Sequence, residues 1–527
     1  MLASKPLTMF KLLCVVLAVA ARVAVANPAT LSARCDDPKA HLSSLTEPVP
    51  TIPTADLPID LPPIELEPIS PEDIEEAGQP VPPSWLTEPS PVPVDSESPV
   101  LDSSPTSPQD PKPKLPGLNV PTNDDDDDGH SSRKGYSESF RRKNVVYFTD
   151  WSIYGAGFLP QNLPADDITH LLYAFAGIAA DGSVVVYDPW ADEQKLLGKR
   201  NTQGESVHGA VEQVFLLKNK YRHMKTLLSI GGWTASQEGK FGPAISSPEG
   251  RRRFAETAVR LLADWGFDGL DVDYEYPANP QDAQNFVLLL QECRRALDEY
   301  AGRNGQNYHY LLTVATPAGP EHYSLLDMRA MDQYVDAWHL MAYDYAGSWD
   351  TVSGQQANLY PDLENPDSTK FNTDQAVGDY IARGIDPRKI VLGLPLYGRS
   401  FTNTDGLGRP YSGIGQGSIE PGVWLYRDLP RPGATVYVNS YTVSAYTYDP
   451  ATRELVSYDN VETARLKAEY LQSRGLGGAV FWEAAGDRTG EESLVRTLAR
   501  EMGHLDNSIN MVHYPESRYT NIQNPSW

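Results

Sequence analysis

The stretch Phe267–Pro277, FDGLDVDYEYP, decides how this chain is read. It sets four carboxylates, Asp268, Asp271, Asp273 and Glu275, into one short hydrophobic run. Leu270 and Val272 are strand formers, and Gly269 and Pro277 are breakers. In a strand from Leu270 to Glu275 the side chains alternate between faces. Asp271, Asp273 and Glu275 then point one way, and Val272 and Tyr274 the other. Folding alone does not select three acids on one buried face, because each must be protonated, hydrogen-bonded or paired. A calcium loop is the bland alternative. It would carry Gly, Asn and Ser between its ligands, where this stretch carries Leu, Val and Tyr.

Seven further strand candidates flank this one. They are NVVYFTDW (Asn144–Trp151), HLLYAFAG (His170–Gly177), KTLLSIGG (Lys225–Gly232), YLLTVATP (Tyr310–Pro317), VDAWHLMAYD (Val335–Asp344), KIVLGLPLYG (Lys389–Gly398) and GGAVFWE (Gly477–Glu483). Most are nearly continuous apolar runs, as expected of strands buried on both faces. Helix patterns such as EGRRRFAETAVRLLADWG and AQNFVLLLQECRRALDEYAG lie between many of them. Eight strand-then-helix units predict an α/β fold, a (β/α)8 TIM barrel. The alternative, a doubly wound open sheet, usually carries a Gly-rich phosphate loop after its first strand, and YFTDWSIYG is not one. The interval from Ser400 to Leu476 is far longer than an ordinary connection. Rich in Gly, Tyr and Val, it predicts a small α+β insertion domain over about residues 401–458, between strands 7 and 8.

In a barrel, catalytic groups sit at the C-terminal ends of strands. Ser229, Gly231 and Gly232 end the third, Glu275 the fourth, Met341, Tyr343 and Asp344 the sixth, and Trp482 the eighth. In order and spacing these match SxGG, DxxDxDxE, MxYD and a terminal Trp, and the chain so resembles glycoside hydrolase family 18, the chitinases and their relatives. The resemblance covers roughly Asn144–Leu505 and is strongest to secreted fungal class V endochitinases; in one chitinase subgroup a similar insertion deepens the cleft. It implies substrate-assisted retaining hydrolysis of β-1,4 N-acetylglucosamine linkages in chitin. Asp273 and Glu275, about 7 Å apart along one strand face, point too nearly alike to flank a sugar on opposite sides. The resemblance supplies the nucleophile, the substrate's own acetamido oxygen.

Further roles follow from the resemblance. Glu275 is the acid and then the base. Asp273 binds the acetamido N–H, Asp271 shares a proton with Asp273, and Tyr343 donates to the acetamido oxygen. Asp344, Trp482 and Met341 border the cleaved sugar, with Trp482 as its floor. Tyr147, Phe175, Trp233, Tyr276, Arg399 and Trp424 fall where cleft residues are expected, although barrel core is nearly as good a reading of Tyr147 and Phe175. Asp268 is expected to hold the strand end in shape. Position 274 is Tyr where many relatives have Trp or Ile; it points away from the acid face. Two other readings are a lectin-like binder on the same barrel, which typically lacks the acid kept here as Glu275, and an endo-N-acetylglucosaminidase, which usually lacks the insertion.

The chain has 527 residues and a net charge of −26. That acidity argues against nucleic acid and anionic membranes as partners. Chitin and chito-oligosaccharides are the partners implied, with the protein a monomer. Only Cys14, Cys35 and Cys293 are available, which excludes a disulfide-framed or zinc-bound small module. The His residues show no ligand spacing and no nucleotide loop is present, so neither metal nor cofactor is expected. Met1–Ala26 reads as a secretory signal, cut after Ala24-Val25-Ala26 or Ala18-Val19-Ala20. Secretion, with possible cell-wall association, is therefore the expected localisation. Residues 27–140 are rich in Pro, Ser and acids and read as an extended, disordered linker or pro-region. It includes the acidic run Asp124–Asp128 and the basic pair Arg133-Lys134; Arg141-Arg142 follows, and both pairs are candidate processing sites. Residues 141–505 form the expected catalytic domain and 506–527 a C-terminal tail.

Overall fold

A computed structural model describes residues 140–198 and 205–525; the expected leader and nearly all of the Pro-rich segment lie outside the described residues. Eight parallel strands close into a barrel. They are β1 (Lys143–Thr149), β2 (His170–Ile178, with a two-residue antiparallel annex, β3, Val184–Val185), β4 (Lys225–Gly231), β5 (Gly269–Asp273), β6 (Leu311–Pro317), β7 (Ala337–Met341), β8 (Ile390–Pro395) and β14 (Gly478–Trp482). Closure is made by β1, which pairs with both β2 and β14. Each of the eight apolar runs is a strand because each has two faces to bury. Val145, Leu172, Leu227, Ala337, Val391 and Val480 fill the barrel interior. Their neighbours Val146, Leu171, Leu228, Trp338, Leu392 and Phe481 pack outward against the helices.

Six long helices surround the barrel: α1 (Gly209–Lys220), α2 (Pro248–Trp265), α3 (Pro280–Arg303), α4 (Thr373–Ala382), α5 (Val461–Ser473) and α6 (Leu494–Met502). Their starts are written locally. Ser247 caps α2 and Asn279 caps α3, each followed by Pro at the first helical position, where a missing N–H costs nothing. Gly266, with φ of 71°, ends α2 in the left-handed conformation and turns the chain into β5. Two units depart from the expected pattern. Only 3-10 turns join β1 to β2, and only the short helical pieces Pro320–Tyr323 and Met328–Met331 join β6 to β7.

The insertion is an antiparallel sheet of β9 (Tyr397–Phe401), β10 (Val423–Leu425), β11 (Thr435–Asn439), β12 (Ser444–Asp449) and β13 (Glu454–Tyr458), in the order β10-β9-β13-β12-β11. It begins at Tyr397, ahead of the expected Phe401, and its helical content is one 3-10 turn, Tyr426–Asp428.

The segment after Leu505, expected as a tail, is a strap across the N-terminal end of the barrel. Asp506 accepts from Lys225 Nζ at 3.0 Å. Asn510 donates to the carbonyls of Lys218 and Met224, both at 2.7 Å. Tyr514 and Ile522 are fully buried. At its centre is Asp268, whose carboxylate takes Lys218 Nζ at 2.6 Å, the Thr226 and Met511 N–H groups at 2.8 Å and the Tyr308 hydroxyl at 3.0 Å. Asp268 thus ties a buried cation, two strands and the strap together, far from the mouth of the barrel.

Tyr514 donates to the Phe267 carbonyl at 2.9 Å and accepts from Lys218 Nζ at 3.0 Å. Tyr514→Ala is expected to lower unfolding free energy by about 3–5 kcal/mol in urea titration. Tyr514→Phe keeps the ring and should lose about 1–3 kcal/mol. Equal losses would show that the hydroxyl, and not ring burial, carries the strap.

Candidate active site

The alternation in β5 sends Leu270 and Val272 outward into the helical layer and Asp271 and Asp273 into the barrel. Tyr274 also turns outward and stacks on Phe241, with ring centroids 4.4 Å apart. Its departure from the commoner residues thus falls on packing, away from the acids. Asp271 pairs in register with Ser229 of β4 and with Thr313 of β6. Residues level across a parallel sheet project to the same side, so both hydroxyls meet the carboxylate. Ser229 Oγ donates to Asp271 Oδ2 at 2.7 Å and Thr313 Oγ1 to Oδ1 at 2.7 Å. Tyr147 of β1 adds its hydroxyl to Oδ2 at 3.0 Å, and His339 Nδ1 of β7 lies 3.1 Å from Oδ1.

These four donors occupy the four acceptor sites of a carboxylate. Burial by itself raises the Asp271 pKa, but the His339 ring and the two hydroxyls outweigh it and bring the group below its ordinary value. The sequence reading expected Asp271 to share a proton with Asp273. The structure differs: Asp271 is saturated by other donors, and among the described residues Asp273 Oδ1 is a buried oxygen with no hydrogen-bond partner. Burial, then the nearby charges of Glu275 and Asp271, push the Asp273 pKa well above the usual carboxylate range. These causes favour the protonated form of Asp273 over its carboxylate.

Glu275 lies just beyond the end of β5, half-buried at the mouth. Its backbone is fixed by Ser236 Oγ, which accepts the Glu275 N–H at 2.9 Å, and by Gln237 Nε2, which donates to its carbonyl at 3.0 Å. Burial raises its carboxyl to about 7; the Tyr276 hydroxyl, donating at 3.1 Å, opposes this, and the charge of Asp344 adds to it. Gly231 and Gly232 let the neighbouring chain approach. Both have positive φ, 110° and 80°. A Cβ at Gly231 would collide with the Asp273 carbonyl oxygen, and one at Gly232 would lie 2.7 Å from the Phe175 ring.

Tyr343 follows β7 by two residues, and Asp273, Glu275 and Asp344 are close enough to help raise its phenol pKa, after burial. Asp344 adopts φ of 59°, a strained setting for a non-glycine residue. Three bonds hold it there: Tyr397 Oη at 2.6 Å and Arg399 Nε and Nη2, both at 2.9 Å. Barrel and insertion are thereby joined at the site. Trp482 forms a floor with Phe175, stacked at 5.7 Å, and Trp151, at 6.4 Å. Trp233 and Trp349 stand exposed beside the mouth, and Arg399 lies 5.1 Å above the Trp349 ring. Met341, half-buried, ends β7.

Two expected cleft residues do not face the cleft. Tyr147 is buried beneath Trp482, 5.1 Å from it, and reaches the site only through Asp271. Trp424 is buried too; its indole N–H donates to Glu454 at 2.9 Å under the Arg431 guanidinium. Sequence reasoning missed Thr313, His339, Trp151, Tyr397 and Glu420. Burial raises the Glu420 pKa to about 7, against the pull of Arg399 and with a push from Asp344. Thr313 and His339 were detectable in principle as polar residues on inward positions of apolar strands. Glu420 sits in a loop of the insertion and carried no signal. Among the described residues no group of three His, Cys, Asp or Glu side chains is arranged to hold a metal ion.

The family model for glycosyl hydrolases family 18 matches residues 143–487. Chitinase 1 of Aphanocladium album is 47% identical over 382 residues, covering 72% of this chain and 90% of its own. Endochitinase 1 of Metarhizium robertsii matches with the same identity and coverage. Among solved structures, chitinase ChiA74 from Bacillus thuringiensis superimposes with a TM-score of 0.64 at 31% identity, covering 70% of this chain and 71% of that one.

Because folding lowers the Asp271 pKa, its stabilisation is complete above the ordinary carboxylate range and fades as pH falls through the lowered folded value. Asp271→Asn is therefore expected to cost about 3–5 kcal/mol at pH 7, as for breaking a buried charged pair. The gap to wild type should shrink as pH falls below the ordinary carboxylate range. Chemical denaturation at several pH values reads this, and a pH-independent gap would count against an ionised Asp271.

Proposed function

The chain belongs to family 18 of the glycosyl hydrolases, and from that membership and the carboxylate geometry we propose that it is a secreted endochitinase acting by substrate-assisted retention. Chitin hydrolysis is the activity named for its relatives. The observation that carries the mechanistic reading is the unpartnered, buried Asp273 Oδ1 beside Glu275. A protonated Asp273 presents this oxygen as an acceptor for one N–H donor, and the substrate's acetamido N–H supplies it. Glu275, with a pKa near 7, gives its proton to the glycosidic oxygen and then, as a carboxylate, activates water. Asp344 is unsuited to be a nucleophile because Arg399 and Tyr397 hold its carboxylate. The acetamido oxygen fills that role, steadied by the Tyr343 hydroxyl, while Trp482 supports the sugar ring. Secretion rests on the Met1–Ala26 pattern.

The direct test uses purified protein with N-acetylglucosamine hexamer and its fully deacetylated counterpart. Wild type should release β-anomers of mixed length from the first and nothing from the second. Glu275→Gln should lower turnover by about 10²–10⁴ with oligomer binding retained. Rapid cleavage of the deacetylated hexamer would overturn substrate assistance.

The pH profile gives an independent check. Glu275 must begin protonated, so the alkaline limb of kcat/KM should have its midpoint near pH 7, where its carboxyl titrates. Asp344→Asn removes a negative neighbour, which eases ionisation of Glu275. The limb should move to lower pH, whatever the loss in absolute rate; an unmoved limb would show that another group sets it.

A further inference from the structure

The hairpin of β11 and β12 is an uncharged stretch in an acidic chain. Charged residues make up 22% of the sequence, yet residues 434–448, ATVYVNSYTVSAYTY, contain no Asp, Glu, Lys, Arg or His. The strand β11 is the outer edge of the insertion sheet. Edge strands are ordinarily guarded by charge, proline or a bulge, and this one exposes Val436 and Tyr437 at 40% and 43%. Tyr437 stacks on its cross-strand partner Tyr446, with centroids 4.9 Å apart and planes within 12°. Tyr441, at 64% the most exposed tyrosine described, stands at the tip of the same hairpin. Its backbone is fixed there, its N–H donating to Asn439 Oδ1 at 2.9 Å.

The register connects this patch to the site. Tyr437 pairs with Tyr446, Tyr446 with Ser457 and Ser457 with Arg399. Directly opposed residues project to one face of an antiparallel sheet, so the tyrosine pair shares the face on which Arg399 grips Asp344. Three strand spacings, about 14 Å in all, separate the two ends of the row. The patch is aromatic and uncharged, and it belongs to the sheet that carries Arg399, with Ser457 buried between them. These features select an occupant that is neutral, extended and able to lay apolar ring faces on tyrosines.

We propose that Tyr437, Tyr446 and Tyr441 form a second carbohydrate-binding platform, which holds a neutral N-acetylhexosamine polymer on the outer edge of the insertion sheet. The platform rests on the chitinase reading for the identity of the polymer. Its work is to keep the catalytic mouth against an insoluble substrate. Short soluble oligomers, already spanned by the cleft, gain nothing from it.

The test is made on the full chain. Binding to chitin particles is measured in a Glu275→Gln background, so that hydrolysis does not erode the ligand, and turnover of N-acetylglucosamine tetramer is measured with Glu275 intact. Tyr437→Ala/Tyr441→Ala should weaken particle binding about 10- to 30-fold, as for the loss of two stacking contacts, and leave tetramer kcat/KM within about twofold. Val436 points to the opposite face by strand alternation, so Val436→Lys should leave particle binding unchanged. Unchanged particle binding by the double tyrosine variant overturns the platform. So does a concentration-dependent dimer in sedimentation that Val436→Lys dissociates, which would assign the edge to pairing between copies of this chain. Failure of the wild-type chain to cleave the tetramer would instead overturn the enzymatic reading, and the tyrosine variant's particle binding still decides the platform.

Discussion

A single buried carboxylate fixes the arrangement on which the rest of this protein depends. Asp271 lies in the barrel interior with no solvent contact, and its charge is held by Tyr147, Ser229, Thr313 and His339. These come from β1, β4, β6 and β7. An unpaired carboxylate at this depth would be neutralised or would unfold the site. Four strands must therefore keep their mutual register for the charge to persist. Hydrogen bonds to a charged acceptor are worth about 1.5–3 kcal/mol each, so a slip of one strand by one residue would be strongly disfavoured.

The order of protonation up the strand follows from that anchor. Asp271 stays ionised because it is saturated with donors. Asp273, buried next to it, has its pKa pushed up by burial and by the charges of Glu275 and Asp271. Glu275, nearer the surface, is raised by burial to about 7. Three chemically similar side chains on one strand face thus have pKa values shifted differently, as depth and partners dictate. The same logic separates Asp344 from them: its bidentate bond to Arg399 commits it to joining barrel and insertion.

The opposite end of the barrel uses a related device for stability alone. Asp268 and Lys218 form a fully buried ion pair, and backbone and hydroxyl donors complete the acid. The strap contributes one of those donors through Met511 and seals the pair with Tyr514. The four acids of the signature stretch therefore divide along the strand direction, with Asp268 at the closed end and Glu275 at the open one.

Local patterns in the chain wrote much of this. Apolar runs buried on two faces made eight strands legible, EGRRRFAETAVRLLADWG and AQNFVLLLQECRRALDEYAG showed helices between them, and alternation in FDGLDVDYEYP put three acids on one side. The length between Ser400 and Leu476 announced an insertion. Such features depend on neighbours a few residues apart, which a sequence displays directly. Contacts between distant residues were not legible. Register brings Thr313 and His339 to Asp271 from 42 and 68 residues away. The strap reaches Asp268 from 243 residues away, and barrel closure drops Tyr147 beneath the floor it was expected to line. The opposite pKa shifts of Asp271 and Asp273 were likewise beyond the sequence. Protonation answers to burial and to the donors that other strands deliver, and only the closed barrel sets both.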